Sequence, residues 1–158
     1  MILYNENDLN IILKKTKKSF VFFIVALSLS VISILSFVLF SVYEMRLLFQ
    51  ILGSIISVLL TGLTIYLLDR NLFYRRVATE YLNILKEEGV ELNVKIVDVQ
   101  NKIITLSDRS MVYEITYLDG KKTKTIHLSF LFEPELEKDK EYRIISALNY
   151  VKGYYEKD

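Results

Sequence analysis

The chain has 158 residues, with 20 Lys and Arg against 19 Asp and Glu, no Cys and no Trp, for a formal net charge of +1. The lack of Cys excludes disulfides, thiolate chemistry and Cys-ligated zinc. The near-neutral, mixed-sign charge gives no clustered basic surface for a nucleic-acid backbone. The hydrophobic share is 52%, slightly above the usual range, and the excess is concentrated between Phe20 and Leu68. The abundance of Ile, Leu, Lys, Asn and Tyr points to an AT-rich, bacterial source.

Residues 1–18 form a basic N-terminal segment, with Lys14, Lys15, Lys17 and Lys18 against Glu6 and Asp8. Within it, DLNIILKKTKK fits a short interfacial helix. Asp8 would cap it, Leu9, Ile12 and Leu13 would face lipid, and the lysines would face headgroups. A frayed tail carrying stop-transfer charges is the alternative.

Residues 19–68 read as a transmembrane hairpin. Ser19 to Tyr43 contains no charged side chain, and neither does Leu47 to Leu68. Each run meets the roughly 20 apolar residues needed to cross a bilayer core. The first run exceeds a signal-peptide core, and no small-residue cleavage pattern precedes the second. A single helix over both runs would be about 75 Å long, so a short turn is expected at 41–46, where Glu44 and Arg46 interrupt the apolar sequence. Lys14, Lys15, Lys17 and Lys18 precede the hairpin and Arg70, Arg75 and Arg76 follow it, whereas the turn holds only Arg46. Basic residues collect on cytoplasmic flanks, so both termini are expected in the cytoplasm of a multi-pass inner-membrane protein. Gly53, Ser57 and Thr61 repeat every fourth position, and Ala26 and Ser30 line part of the first helix. Such small residues suit close helix packing, within the hairpin or between copies. No Asp, Glu, Lys, Arg or His lies within either span, which argues against an ion or proton pathway.

Residues 69–88 read as an amphipathic linker helix with Phe73, Val77, Tyr81 and Ile84 or Leu85 at helical spacing and Gly89 as its stop. It either continues the second span or bends onto the membrane surface. Tyr74, Arg75 and Arg76 suit the interface in both cases.

From residue 89 to 158 the period becomes two. ELNVKIVDV, KIITL, MVYEITYL, KKTKTIHL and two strands in EYRIISALNYVKGYYE are expected. Asp119-Gly120 is expected as the centre of a type I′ hairpin, with further turns at SDRS and at Leu148-Asn149. The expected class is α+β: a transmembrane helical hairpin, a helical linker and a small all-β barrel, OB-like or SH3-like.

Chemical motifs are sparse. His127 is the only histidine and has no partner at a recognisable spacing. GKKTK lacks the full phosphate-loop pattern. The acidic stretch FEPELEKDKEY lacks a calcium-loop pattern and is diluted by lysines. No catalytic, cofactor or metal site is read here, and no small-molecule substrate. Tyr113, Tyr117, Tyr150 and Tyr154 give the β module an aromatic bias. They would either fill its core or form a partner-binding face.

YEITYLDGKK and YRIISALNYVKGYYE, placed after a transmembrane hairpin, give a layout that resembles NfeD-like membrane proteins and similar bacterial families. That resemblance implies scaffolding or partner binding at the membrane, with no active-site residues. The resulting expectation is a non-enzymatic membrane protein that engages a protein partner or a second copy of itself. Immunity against a toxin or bacteriocin, or an accessory role in a transport or protease complex, are the alternatives.

Overall fold

A computed structural model of the protein describes residues 1–43, 47–120 and 122–157. Two long helices are followed by a six-stranded sheet: α1 (Glu6–Tyr43), α2 (Leu47–Lys86), β1 (Val90–Val99), β2 (Ile104–Thr105), β3 (Met111–Asp119), β4 (Lys122–Ser129), β5 (Glu141–Ala147) and β6 (Tyr150–Glu156). The chain divides into two compact units, Ile11–Ala78 and the combination of Met1–Asn10 with Thr79–Asp158.

Both helices exceed the expected spans. The short N-terminal helix, the basic segment and the first span are one element, α1. The linker is continuous with the second span as α2, which ends at Lys86. The one Pro of the chain is Pro134, so no helix breaker separates these segments. The cap of α1 is Asn5 rather than Asp8. Asn5 Oδ1 accepts the Asp8 amide at 2.9 Å, and Asn5 Nδ2 donates to Asp8 Oδ2 at 2.8 Å. Asp8 and Glu6 then sit in the first turn, where negative charge suits the helix dipole. Of the expected turn, Ser41–Tyr43 still belong to α1 and 44–46 lie outside the described residues.

In the helical unit the helices run antiparallel. Ser30 Oγ lies 3.3 Å from Thr61 Oγ1, Ser33 Oγ lies 3.2 Å from Ser57 Oγ, and Thr16 Oγ1 donates to the Tyr74 carbonyl at 3.4 Å. Away from this seam the apolar side chains point outward. Val21, Ile32, Leu35, Val58, Leu59 and Ile65 are all exposed. The most apolar stretches of α1 and α2 are only 11% and 6% buried, and both are long and apolar enough to cross a membrane. A core helix of a soluble globule would be mostly covered.

In the sheet, the order is β1-β5-β6-β4-β3-β2, and β1 also pairs with β3. All pairings are antiparallel except β4 with β6, which meet in parallel at His127 and Tyr150. Only Ile104–Thr105 of the expected KIITL strand joins the ladder. Ile96, Val112, Ile115, Ile126, Leu128, Ile144 and Val151 form the buried core, together with Leu3, Tyr4, Tyr81 and Ile84. The N-terminal residues belong to this sheet unit. Ile2 bridges Gly153, Leu3 N donates to the Lys152 carbonyl at 3.0 Å, and Tyr154 N donates to the Met1 carbonyl at 2.9 Å. Leu9, expected to face lipid, is also buried.

Three local geometries fix the sheet. Asp119 pairs with Lys122, so the ladder runs through Asp119 and the loop begins at Gly120, one position later than expected. Gly120 supplies the positive φ of 63°, while Asp119 stays in the ladder and its Oδ2 meets Lys124 Nζ at 2.6 Å. Leu148 (φ 50°) and Asn149 (φ 66°) form the two-residue loop between Ala147 and Tyr150, as a type I′ turn requires. A bulge in the β5–β6 ladder leaves Lys152 unpaired with β5. Its Nζ donates to the carbonyls of Leu85 at 3.0 Å and Glu87 at 2.7 Å, closing the C-terminus of α2. Gly89 marks a close approach rather than a cap. A Cβ there would collide with Ile145 Cγ2.

Two outcomes follow from these geometries. Leu148→Gly is expected to stabilise the sheet unit by about 0.5–1 kcal/mol, because Leu pays a steric penalty at positive φ. Leu148→Ile should destabilise it, and thermal unfolding in detergent reads both. The double variant Ser33→Cys/Ser57→Cys is expected to form a disulfide within one chain on oxidation. A crosslinked dimer on non-reducing electrophoresis, instead of a compact monomer, would contradict the seam.

Candidate functional site

The five expected helix-packing positions divide between the two sides of the seam. Ala26 and Ser30 are buried on α1; Ser57 and Thr61 on α2 meet Ser33 and Ser30. At Gly53 an added Cβ would lie 2.6 Å from Phe37 Cδ2, so the absence of a side chain is what admits the ring. Further along, Ser19 and Asn71 are buried with Ser19 Oγ and Asn71 Oδ1 lacking hydrogen-bond partners.

The expected interface anchors form a basic collar on the helical unit. Lys14, Lys15, Lys17, Lys18, Arg75 and Arg76 are exposed and Tyr74 is half-buried. The Arg75 guanidinium sits 5.1 Å from the Phe20 ring centre, Lys18 Nζ lies 5.9 Å from that of Phe22, and Arg70 lies 5.7 Å from that of Tyr74. These are cation–π separations. They hold the charged heads beside the aromatic rings.

The tyrosines do not assemble into a partner-facing surface. Tyr117, Tyr150 and Tyr154 are buried and Tyr113 is half-buried, whereas Tyr155 is exposed. The Tyr154 hydroxyl donates to Glu135 Oε2 at 3.1 Å, and burial pushes its pKa up to about 12. The acidic stretch is tied to the sheet in the same way. Lys140 Nζ bridges Glu137 at 3.1 Å and Glu156 at 2.8 Å. Among the described residues no group of three or more His, Asp or Glu is arranged to hold a metal.

The densest polar cluster was not legible in the sequence. Asp108 Oδ1 accepts from Ser110 Oγ at 2.6 Å and from Ser110 N at 3.0 Å, and the Tyr150 hydroxyl lies 3.1 Å from Ser110 Oγ. Glu80, near the end of α2, is close enough to the same Tyr150 hydroxyl to interact with it electrostatically. Burial raises the Glu80 pKa above the usual carboxylate range, and the Ser110 hydrogen bonds lower that of Asp108. His127 stands edge-on to Tyr150 with ring centres 6.0 Å apart. The Ser110 proton is directed at a carboxylate rather than an imidazole nitrogen. This geometry braces the 107–110 turn against β6, and does not match a nucleophile paired with a histidine base. Such a brace depends on residues at 108, 110 and 150, whose spacing follows no motif.

Comparison with protein-family models, with curated proteins and with solved structures finds no match to this chain.

The raised Glu80 pKa has a defined sign. The folded chain keeps a proton on Glu80 to higher pH than the unfolded chain, so stability from this site is full below the ordinary Glu value of about 4.3. It is lost as pH rises through the raised folded value. Glu80→Gln is therefore expected to unfold at higher temperature than the native chain at pH 7.5. The difference should vanish on acidification to about pH 4, and an equal difference at both values would contradict the burial account.

Proposed function

We propose that this chain is a non-enzymatic integral membrane protein whose sheet unit scaffolds a protein partner at the cytoplasmic face of a bacterial inner membrane. The observation that carries this reading is the outward apolar surface of α1 and α2, exposed along stretches long enough to cross the hydrocarbon core. The hydroxyls on these helices support it. Ser28 donates to the Ile24 carbonyl at 2.9 Å and Thr64 to that of Leu60 at 2.8 Å, so they are satisfied without water. The basic collar and the near absence of Lys and Arg at the opposite end support a cytoplasmic location for both termini.

The sheet unit is best read as an OB-like barrel. The pairings β1–β3, β3–β4, β4–β6, β6–β5 and β5–β1 return to their starting strand, and the one parallel step is β4–β6. This favours the OB-like over the SH3-like alternative and is compatible with an NfeD-like layout. The partner surface proposed here is the shallow depression lined by Glu91, Arg143, Ile145, Tyr155, Glu156 and Lys157, about 510 Å³ in volume. An exposed aromatic among charges of both signs suits a protein contact.

Leu47→Cys is expected to react with a membrane-impermeant thiol reagent added to intact cells, and Lys102→Cys only after permeabilisation. Reverse labelling would overturn the orientation. A photo-crosslinking residue at position 155 is expected to capture a protein in native membranes. Recovery of uncrosslinked monomer alone would count against scaffolding.

A further inference from the structure

A cavity of about 330 Å³ opens between the two helices at the basic collar, lined by Lys15, Lys18, Ser19 and Phe22 of α1 and by Leu67, Arg70 and Tyr74 of α2. The four α1 residues lie at helical spacing on one face, as do the three from α2. Every charge on its wall is positive, and among the described residues none of the three cations is paired with a carboxylate. Ser19 lines the cavity, is 7% exposed, and has no hydrogen-bond partner for its Oγ, so a buried donor at the wall is unused. The Tyr74 hydroxyl accepts from Arg70 at 3.5 Å, which leaves its own proton available. The wall therefore offers donors and cations to a ligand that brings only acceptors and negative charge. It is also polarised along its length: Phe22 and Leu67 lie toward the apolar runs, and Lys15 and Tyr74 lie away from them.

We propose that this cavity is a binding site for the phosphate headgroup of an anionic glycerophospholipid. Lys15, Lys18 and Arg70 neutralise the phosphate, the Ser19 hydroxyl donates to one of its oxygens, and Phe22 and Leu67 meet the start of the acyl chains. The apolar end separates a lipid from free phosphate, which would gain nothing there. A basic pocket between transmembrane helices at the cytoplasmic level suits this ligand class. The assignment rests on the membrane reading above.

The test uses the full chain in nanodiscs of phosphatidylcholine, with phosphatidylglycerol titrated in and bound lipid counted by native mass spectrometry. Lys15→Gln/Lys18→Gln/Arg70→Gln is expected to weaken phosphatidylglycerol retention about tenfold or more. Ser19→Ala should weaken it several-fold, by loss of a hydrogen bond to a charged group. Lys14→Gln/Lys17→Gln/Arg76→Gln removes the same charge outside the cavity and should change retention less than about twofold. Equal losses in the two triple variants would reduce the site to diffuse attraction and overturn it. Equal retention of phosphatidylcholine, or displacement by millimolar inorganic phosphate, would also overturn it. Carbonate extraction of native membranes separates the two levels. A chain that washes off fails the membrane reading, whereas one that stays but shows no phosphatidylglycerol preference fails only the lipid site.

Discussion

The outward apolar side chains of α1 and α2 set the constraint on which the helical unit depends. In a medium that cannot hydrogen-bond, each polar group must be satisfied by the chain itself or sit where the medium ends. On the membrane reading proposed above, the helices meet this requirement by three routes. Ser28, Ser54, Thr61 and Thr64 return their hydroxyls to carbonyls three or four residues earlier. Ser30, Ser33, Ser57 and Thr61 share bonds across the seam. The lysines and arginines gather at one end, against aromatic rings. Ser19 and Asn71 are the exceptions, buried with oxygens unspent.

The sheet unit obeys a different economy. Its core is aliphatic, and its polar groups are held by cross-links between distant segments. Tyr81 shows this most clearly: its hydroxyl accepts the Asn5 amide at 2.9 Å and lies 3.2 Å from the Asn5 carbonyl. Its ring packs on Tyr4, with centres 4.7 Å apart. Lys152, displaced by the bulge, ties β6 to the last carbonyls of α2. Tyr150 does the same for the 107–110 turn through its bond to Ser110. The N-terminal residues and the end of α2 are thus structural members of the sheet unit rather than appendages.

The elements legible in the sequence are those with a local signal. Period-two alternation places β1, β3 and β4, and the Leu148-Asn149 turn falls where expected. The Asp119-Gly120 turn shifts by one residue because Asp119 gains a ladder position and an ion pair with Lys124, leaving Gly120 to supply the positive φ. Elements that depend on distant partners were not legible. A bridge at Ile2 is too short to show a period. The continuity of α2 through Asp69 and Arg70 follows from the absence of a breaker, whereas the change of composition there suggests a joint. Burial of Tyr117, Tyr150 and Tyr154 cannot be read from alternation, since a pleat assigns faces without saying which is covered. The cluster around Ser110 joins four chain segments that no spacing relates.

Leu3 and Lys152 are hydrogen-bonded across about 150 residues of chain, a contact that would cost a freely flexible loop on the order of 4 kcal/mol in closure entropy. The antiparallel hairpin shortens that search, since Thr16 and Tyr74 already lie side by side once the helices pair. Pairing of the helices therefore acts as a clasp, lowering the closure cost of the Ile2–Gly153 bridge below what its separation in sequence implies.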